Sequence, residues 1–314
     1  MTGPMSRRQM MFASASAVAA ATAPVAAVPN GQREPFRYCL NTSTIRGEAG
    51  RPIEESIAIA GRAGYTGIEP WIREIDDYVA RGGSLAELAQ RIRDAGLVVE
   101  SAIAFPEWIV DDDARRARGM EEARRCMEIV AALGGRRIAA PPAGATDVSD
   151  LEPQRIAERY RALLELGERM GVIPMLEVWG FSRTLGRLAP AAAAAIDAGH
   201  PAACLLTDVY HLYRGGSDFE GLRLLHGAAL PAMHMNDYPA EPPRTQLNDG
   251  HRVYPGDGVA PLTRILRILR DIGFTGALSL ELFNRSYWQQ DPNSVARTGL
   301  EKMRAAVRRA LTDE

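Results

Sequence analysis

The chain has 314 residues, 46% apolar and 24% charged, which is enough apolar material for one large core and too little charge to hold the chain unfolded. With 37 basic against 39 acidic residues the formal net charge is −2 and no basic run interrupts the sequence, so a nucleic-acid footprint is excluded. The only lysine, Lys302, lies in a C-terminal amphipathic stretch far from every motif, which removes Schiff-base and lysine-base chemistry from consideration.

The N-terminus reads as a processing segment. Ser6-Arg7-Arg8-Gln9-Met10-Met11 precedes an uncharged Ala- and Ser-rich stretch from Phe12 to Val28, with Val25 and Ala27 at the minus-three and minus-one cleavage positions. This layout predicts a twin-arginine export signal over residues 1–27, a partner in the twin-arginine machinery, and a periplasmic mature chain of residues 28–314. Cys39, Cys126 and Cys204 have no C-x-x-C spacing and are odd in number, so they read as small reduced core residues. A twin-arginine substrate folds before export, and buried thiols are compatible with that destination.

From residue 36 onward, short apolar runs bounded by Gly or Pro alternate with longer helical stretches. In chain order the pattern predicts strand Phe36–Thr42, helix Ile53–Ala63, strand Gly67–Trp71, helix Leu85–Ala95, strand Val98–Ala104, helix Asp113–Leu133, strand Arg137–Ala140 and helix Pro153–Met170. It continues with strand Ile173–Trp179, helix Leu185–Ala198, strand Cys204–Asp208, a helical segment Phe219–Leu225, strand Ala232–Asn236, helix Pro261–Ile272, strand Ala277–Leu282 and helix Ser294–Leu311. Prolines near helix starts and glycines just after helix ends punctuate the alternation. Eight strand-helix units in one domain imply parallel strands with right-handed crossovers, and closure into a single-domain α/β (β/α)8 TIM barrel. The competing open doubly wound sheet lacks a G-x-G-x-x-G after any strand in its nucleotide-binding form. The long connection Asp237–Gly258 reads as a functional loop over the site.

In such a barrel chemistry is carried at the C-terminal strand ends. Glu177 ends Met175-Leu176-Glu177, Asp208 ends Leu206-Thr207-Asp208, His234 lies in Met233-His234-Met235, and Glu281 follows Ser279-Leu280. Each sits in an apolar run where an unpaired charge is expensive, and a shared cation is the simplest compensation. One imidazole and three carboxylates make a hard, oxygen-rich set suited to a divalent metal ion, with Mn expected first and Mg, Co or Zn admissible. His211, three residues beyond Asp208, has left the strand and can reach over the site. Four lesser positions stay open. Glu69 of Glu69-Pro70-Trp71 offers a hydroxyl contact or a structural ion pair. Trp179 and Phe105 provide a hydrophobic floor or pack in the core. Arg252 holds a polyhydroxylated or anionic substrate, or pairs with Asp249 and Asp257. His200 and His226 read as solvent-facing, and His251 as a non-ligand.

Asp208-Val209-Tyr210-His211, with His234 downstream and Glu177 and Glu281 flanking, resembles the xylose-isomerase-like superfamily of sugar isomerases and epimerases. The run Asn248-Asp249-Gly250-His251-Arg252-Val253-Tyr254-Pro255-Gly256 and the segment around Ser279-Leu280-Glu281-Leu282-Phe283-Asn284-Arg285 are similar to the inosose isomerases within it. The resemblance implies that Glu177, Asp208, His234 and Glu281 ligate one divalent ion and that His211 contacts substrate. It implies an isomerase or epimerase of a keto-sugar or keto-cyclitol working through an enediolate. In that chemistry Glu177 and Glu281 form the acid/base pair and His211 stabilises the developing oxyanion, with Glu69, Trp179 and Arg252 as the candidate substrate contacts. Export and the run Tyr213-Arg214-Gly215-Gly216 depart from the inosose isomerase pattern. Two further readings remain, a lyase on the same metal site (dehydratase or 3-keto-glycoside β-elimination) and a non-catalytic sugar-binding barrel. The small-molecule carbohydrate or cyclitol partner is common to all three, and homo-oligomerisation stays open.

Overall fold

The computed structural model describes residues 36–312, so the expected export segment at residues 1–27 lies outside the described residues. The strands are β1 (Arg37–Asn41), β2 (Gly67–Glu69), β3 (Val98–Val99), β4 (Arg137–Ala140), β5 (Ile173–Glu177), β6 (Leu205–Asp208), β7 (Ala232–Met235) and β8 (Ala277–Leu280). The helices are α1 (Ile53–Ala63), α2 (Ile72–Ala80), α3 (Leu85–Asp94), α4 (Asp113–Ala132), α5 (Pro153–Met170), α6 (Leu188–Asp197), α7 (Val209–Gly215), α8 (Leu262–Asp271), α9 (Arg285–Trp288) and α10 (Pro292–Thr312). All strand pairings are parallel, in the order β3-β2-β1-β8-β7-β6-β5-β4. The Ala139 amide donates to the Ala102 carbonyl at 2.9 Å across the remaining seam and closes the (β/α)8 barrel.

Side chains along a strand alternate between faces, and this parity builds both core layers. Met175 and Glu177, Leu206 and Asp208, Ala232 and His234 are each two apart and share the inward face. Met175, Leu206 and Ala232 join Cys204, Ala139, Trp71 and Ile103 in a small apolar cluster, while Glu177, Asp208 and His234 lie one layer nearer the C-terminal mouth. The intervening Leu176, Leu205, Met233 and Leu280 face outward and pack in the larger core beneath the helices. Helix ends follow expectation at Gly64 and Gly171, which take left-handed φ of 91° and 68° after α1 and α5. The three cysteines are free and buried. Among the described residues no helix is long and apolar enough to cross a membrane.

The differences from the sequence reading are local. The expected strand Val98–Ala104 keeps only two ladder residues, and its continuation rejoins the barrel through an isolated parallel bridge between Trp71 and Ile103. Helices α2, α7 and α9 were not expected. Two of them, at seven and four residues, are shorter than the stretch over which a 3.6-residue period shows itself. The segment Phe219–Leu224 is a 3-10 helix.

Candidate metal centre and active site

The strand register sets the site. Asp208 on β6 pairs with His234 on β7, which pairs with Ser279 on β8, and Asn41 on β1 pairs with Glu69 on β2. His234 is fully buried, and its Nδ1 faces three carboxylates: Glu281 Oε2 at 3.1 Å, Asp208 Oδ2 at 3.5 Å and Glu177 Oε1 at 4.0 Å. None of these gives Nδ1 a hydrogen bond of acceptable geometry, so a buried ring nitrogen is left without a partner among acids. The ligand atoms of Asp208, His234 and Glu281 lie within 4.8 Å of one another, a spacing a single cation can bridge. An orphaned imidazole nitrogen surrounded by carboxylate oxygens fits a divalent ion, and Glu177 stands at the edge of that set.

The opposite edge of the ring is tied down. His234 Nε2 lies 3.0 Å from Glu69 Oε2, which also accepts from Ser279 Oγ at 2.7 Å and Asn41 Nδ2 at 2.9 Å. Glu69 is therefore behind the imidazole, fully buried, and does not line the pocket as a hydroxyl contact would. Its inward parity carries it toward His234 across the lumen. Trp71, two residues on, is the part of this segment that reaches the pocket wall. Asn41 Nδ2 also donates to Glu281 Oε1 at 3.1 Å, and Asn236 Nδ2 donates to Asp208 Oδ2 at 3.1 Å. Neither asparagine was singled out for a role in the site from sequence, although Asn41 closes β1 in register with Glu69 and Asn236 directly follows β7.

Arg252 arrives from the long loop and is 1% exposed. Its Nη1 donates to Asp208 Oδ2 at 2.8 Å and Glu281 Oε2 at 2.7 Å, and its Nη2 donates to Asp249 Oδ1 at 2.7 Å. The loop is fixed by Asp237, whose carboxylate accepts from the amides of Tyr238 (2.8 Å), Gly256 (2.9 Å) and Ala260 (2.8 Å). His211 Nδ1 accepts from the Gly180 amide at 3.2 Å, which places the proton of a neutral ring on Nε2, 3.0 Å from Arg252 Nη2. Two donors thus lie side by side, and an oxygen in front of both nitrogens could accept from each. Burial and the neighbouring Arg252 charge lower the His211 pKa and favour that neutral ring.

Electrostatics separates the acids. Burial, opposed by His234 and reinforced by the Glu281 and Asp208 carboxylates, pushes Glu177 up to about 8. Burial also works against an ionised Asp208, but Arg252, His211 and His234 outweigh it and hold that carboxyl far below the usual range. Burial opposes a charged His234, yet Glu281 and Glu69 raise its pKa well above normal.

Above these groups lies a cavity of about 170 Å³ walled by Trp71, Phe105, Trp179, Phe181 and Phe283, with Glu177, Glu281, His211 and Arg252 at its base. Trp179 is half-buried in this wall, whereas Phe105 is 42% exposed at the rim and is not a core residue. A larger groove of about 480 Å³ runs outside the barrel along α8; two of its four arginines, Arg223 and Arg264, are matched by Glu220, Asp218 and Asp271, Arg267 donates to the Ala310 carbonyl, and no buried acid and imidazole converge there. His251 Nδ1 accepts from the Asn248 amide, away from the acids, and His226 caps a 3-10 turn. His200 departs from expectation: its side chain is only 7% exposed and lies 3.6 Å from Glu168.

Residues 57–306 match the family model described as the xylose isomerase-like TIM barrel. The chain belongs to that family. It is 26% identical over 286 residues to an inosose isomerase of Bacillus velezensis, covering 89% of this chain and all of that protein. Its fold is similar to a crystal structure of the IolI protein with a bound zinc atom, with TM-score 0.81, 22% identity and coverage of 88% of this chain and 99% of that one. An L-ribulose 3-epimerase structure is similar with TM-score 0.71 and 21% identity, covering 88% and 95% of the two chains.

Proposed function

We propose that this protein is a divalent-metal-dependent isomerase or epimerase of a keto-sugar or keto-cyclitol. The observation that carries the reading is His234 Nδ1, buried and unpartnered among the carboxylates of Asp208, Glu281 and Glu177 at the mouth of the barrel. The inosose isomerase relative and the epimerase neighbour support the substrate class. Asp208, His234 and Glu281, completed by Glu177, would hold the ion. When bound, it supplies positive charge that stabilises a developing negative oxygen beside the reacting C–H. Mn is proposed from the hard donor set, and the zinc in the IolI structure supports a site of this fold that accepts Zn as well.

The residues divide the remaining work by position. Glu177 and Glu281 both face His234 Nδ1, at 4.0 and 3.1 Å, and move the proton between adjacent carbons or opposite faces. Asn41 and Arg252 each hold one oxygen of Glu281 and fix its orientation. The side-by-side donors of His211 and Arg252 offer a place for a substrate oxygen whose negative charge grows during reaction. Trp71 and Trp179 press on the apolar face of a ring and exclude water.

Incubation with keto-inositols, ketohexoses and 3-keto-glycosides with Mn supplied, in D2O and followed by NMR and mass, tests this reading. Conservation of substrate mass with carbon-bound deuterium is expected, and turnover collapses in Glu281→Gln. Loss of one water would make the protein a lyase. Absence of both turnover and exchange in metal-loaded protein overturns the enzyme reading. Export by the twin-arginine route is proposed from residues 6–28, and N-terminal sequencing of periplasmic protein checks it: a start near Val28 is expected.

A further inference from the structure

Only two Phe, Tyr or Trp side chains among the described residues are exposed, Phe105 at 42% and Phe181 at 43%, and both stand at the mouth of the cavity above the carboxylates. They come from different loops, after β3 and after β5, so their meeting is not a by-product of one exposed segment. They extend a continuous crescent of rings. Trp71 and Phe105 have centroids 5.2 Å apart, Phe105 and Trp179 5.8 Å, Trp179 and Phe181 5.2 Å, and Phe181 and His211 5.7 Å. The inner cavity of about 170 Å³ is smaller than the roughly 300 Å³ at which sites for larger ligands begin, and has room for one small ring. The outer half of the crescent lies beyond that ring and faces solvent.

We propose that Phe105, Trp179 and Phe181 form an outer stacking shelf for a second ring joined to the reacting one, so that the substrate is a glycoside or similarly linked pair of rings. The proposal rests on the sugar- or cyclitol-directed reading of the inner cavity and extends it. The second ring is uncharged. Arg252 is the only cation lining the cavity, and Asp208, Glu281 and Asp249 already engage it; Arg46 and Arg73 stack on Trp71 at the other end of the crescent, and among the described residues no cation stacks on Phe105, Trp179 or Phe181 to hold a phosphate or carboxylate tail. An aryl ring and the C–H face of a pyranose present the same flat apolar surface, which tilted aromatic side chains accept.

The test is calorimetric titration of the zinc-loaded full chain with methyl β-glucopyranoside, phenyl β-glucopyranoside and cellobiose, none of which carries the carbonyl needed for turnover. The expected result is that one or both two-ring ligands bind about tenfold more tightly than the methyl glycoside, and that Phe105→Ala/Phe181→Ala brings the ratio close to one. Tighter binding of the phenyl glycoside alone assigns an aryl ring; tighter binding of cellobiose alone assigns a second sugar. An unchanged zinc-induced rise in melting temperature shows that the double variant is folded, which the exposure of both rings leads us to expect. Equal or undetectable binding of all three ligands, or an advantage that survives the double variant, overturns the shelf. Turnover of a free keto-inositol with no two-ring preference would leave the isomerase reading standing and remove the shelf. A two-ring preference without any turnover would do the reverse.

Discussion

Glu69 and His234 meet inside the barrel, 3.0 Å apart and both fully buried, on strands that are not neighbours in the sheet. The carboxylate fixes the ring so that Nδ1 turns toward Asp208 and Glu281. Burial alone would push the Glu69 carboxyl up, but the His234 charge and the hydrogen bonds from His234, Ser279 and Asn41 keep it below its ordinary value. Glu69→Gln preserves shape and removes the charge. Divalent-ion affinity is expected to fall about 10- to 100-fold. Titration calorimetry with Zn reads this directly, and wild-type affinity in the variant would refute the orienting role.

Metal binding should release protons. Without an ion Glu177 sits at about 8 and His234 well above its usual value, so both carry a proton at neutral pH that coordination must displace. Affinity therefore climbs as pH rises toward 8. The metal-free protein loses these two contributions to stability over the same rise, because both folded-state values lie above the unfolded ones. Calorimetry in buffers of different ionisation enthalpy counts the protons, and a pH-independent affinity from 6 to 8 contradicts the linkage.

Arg252 balances the charge of the metal-free site. Arg252→Met leaves Asp208 and Glu281 buried without their guanidinium partner, a loss of about 3–5 kcal/mol in chelator. Saturating Zn should narrow that gap, because the ion supplies the missing charge. Denaturant titrations with and without Zn compare the two states. A deficit of the same size in both would show that Arg252 acts through packing on Tyr210 and Phe283 instead.

Gly180 lets the segment after β5 approach α7. A methyl group on Gly180 would stand 2.3 Å from the His211 carbonyl oxygen, and the Gly180 amide is the donor to His211 Nδ1. Gly180→Ala is expected to cost about 1–3 kcal/mol and to weaken substrate binding through a displaced imidazole. Melting temperature and KM report the two effects separately, and a fully active variant of unchanged stability would show that the contact yields.

The strand ends were legible in the sequence because parity and hydrophobicity agree there. Leu206-Thr207-Asp208 and Met175-Leu176-Glu177 each place an acid two residues beyond an apolar lumen residue, and no other arrangement buries the run. Depth was not legible. Glu69 has the same parity as a pocket residue, but whether it faces substrate or His234 depends on a neighbour 165 positions away across the lumen. The same holds for Asn41 and Glu281, whose contact spans 240 positions. Arg252 was left between substrate and local acids. It engages Asp249 as the local reading allowed and reaches Asp208 and Glu281 as well, which no spacing rule encodes.

The carboxylate of Asp237 gathers the two ends of the long loop through three backbone amides. The entropy of ordering that loop is thus spent while the chain folds and not when substrate arrives. Arg252 is already held against Asp208, Glu281 and Asp249, and substrate association need not include a slow loop-ordering step.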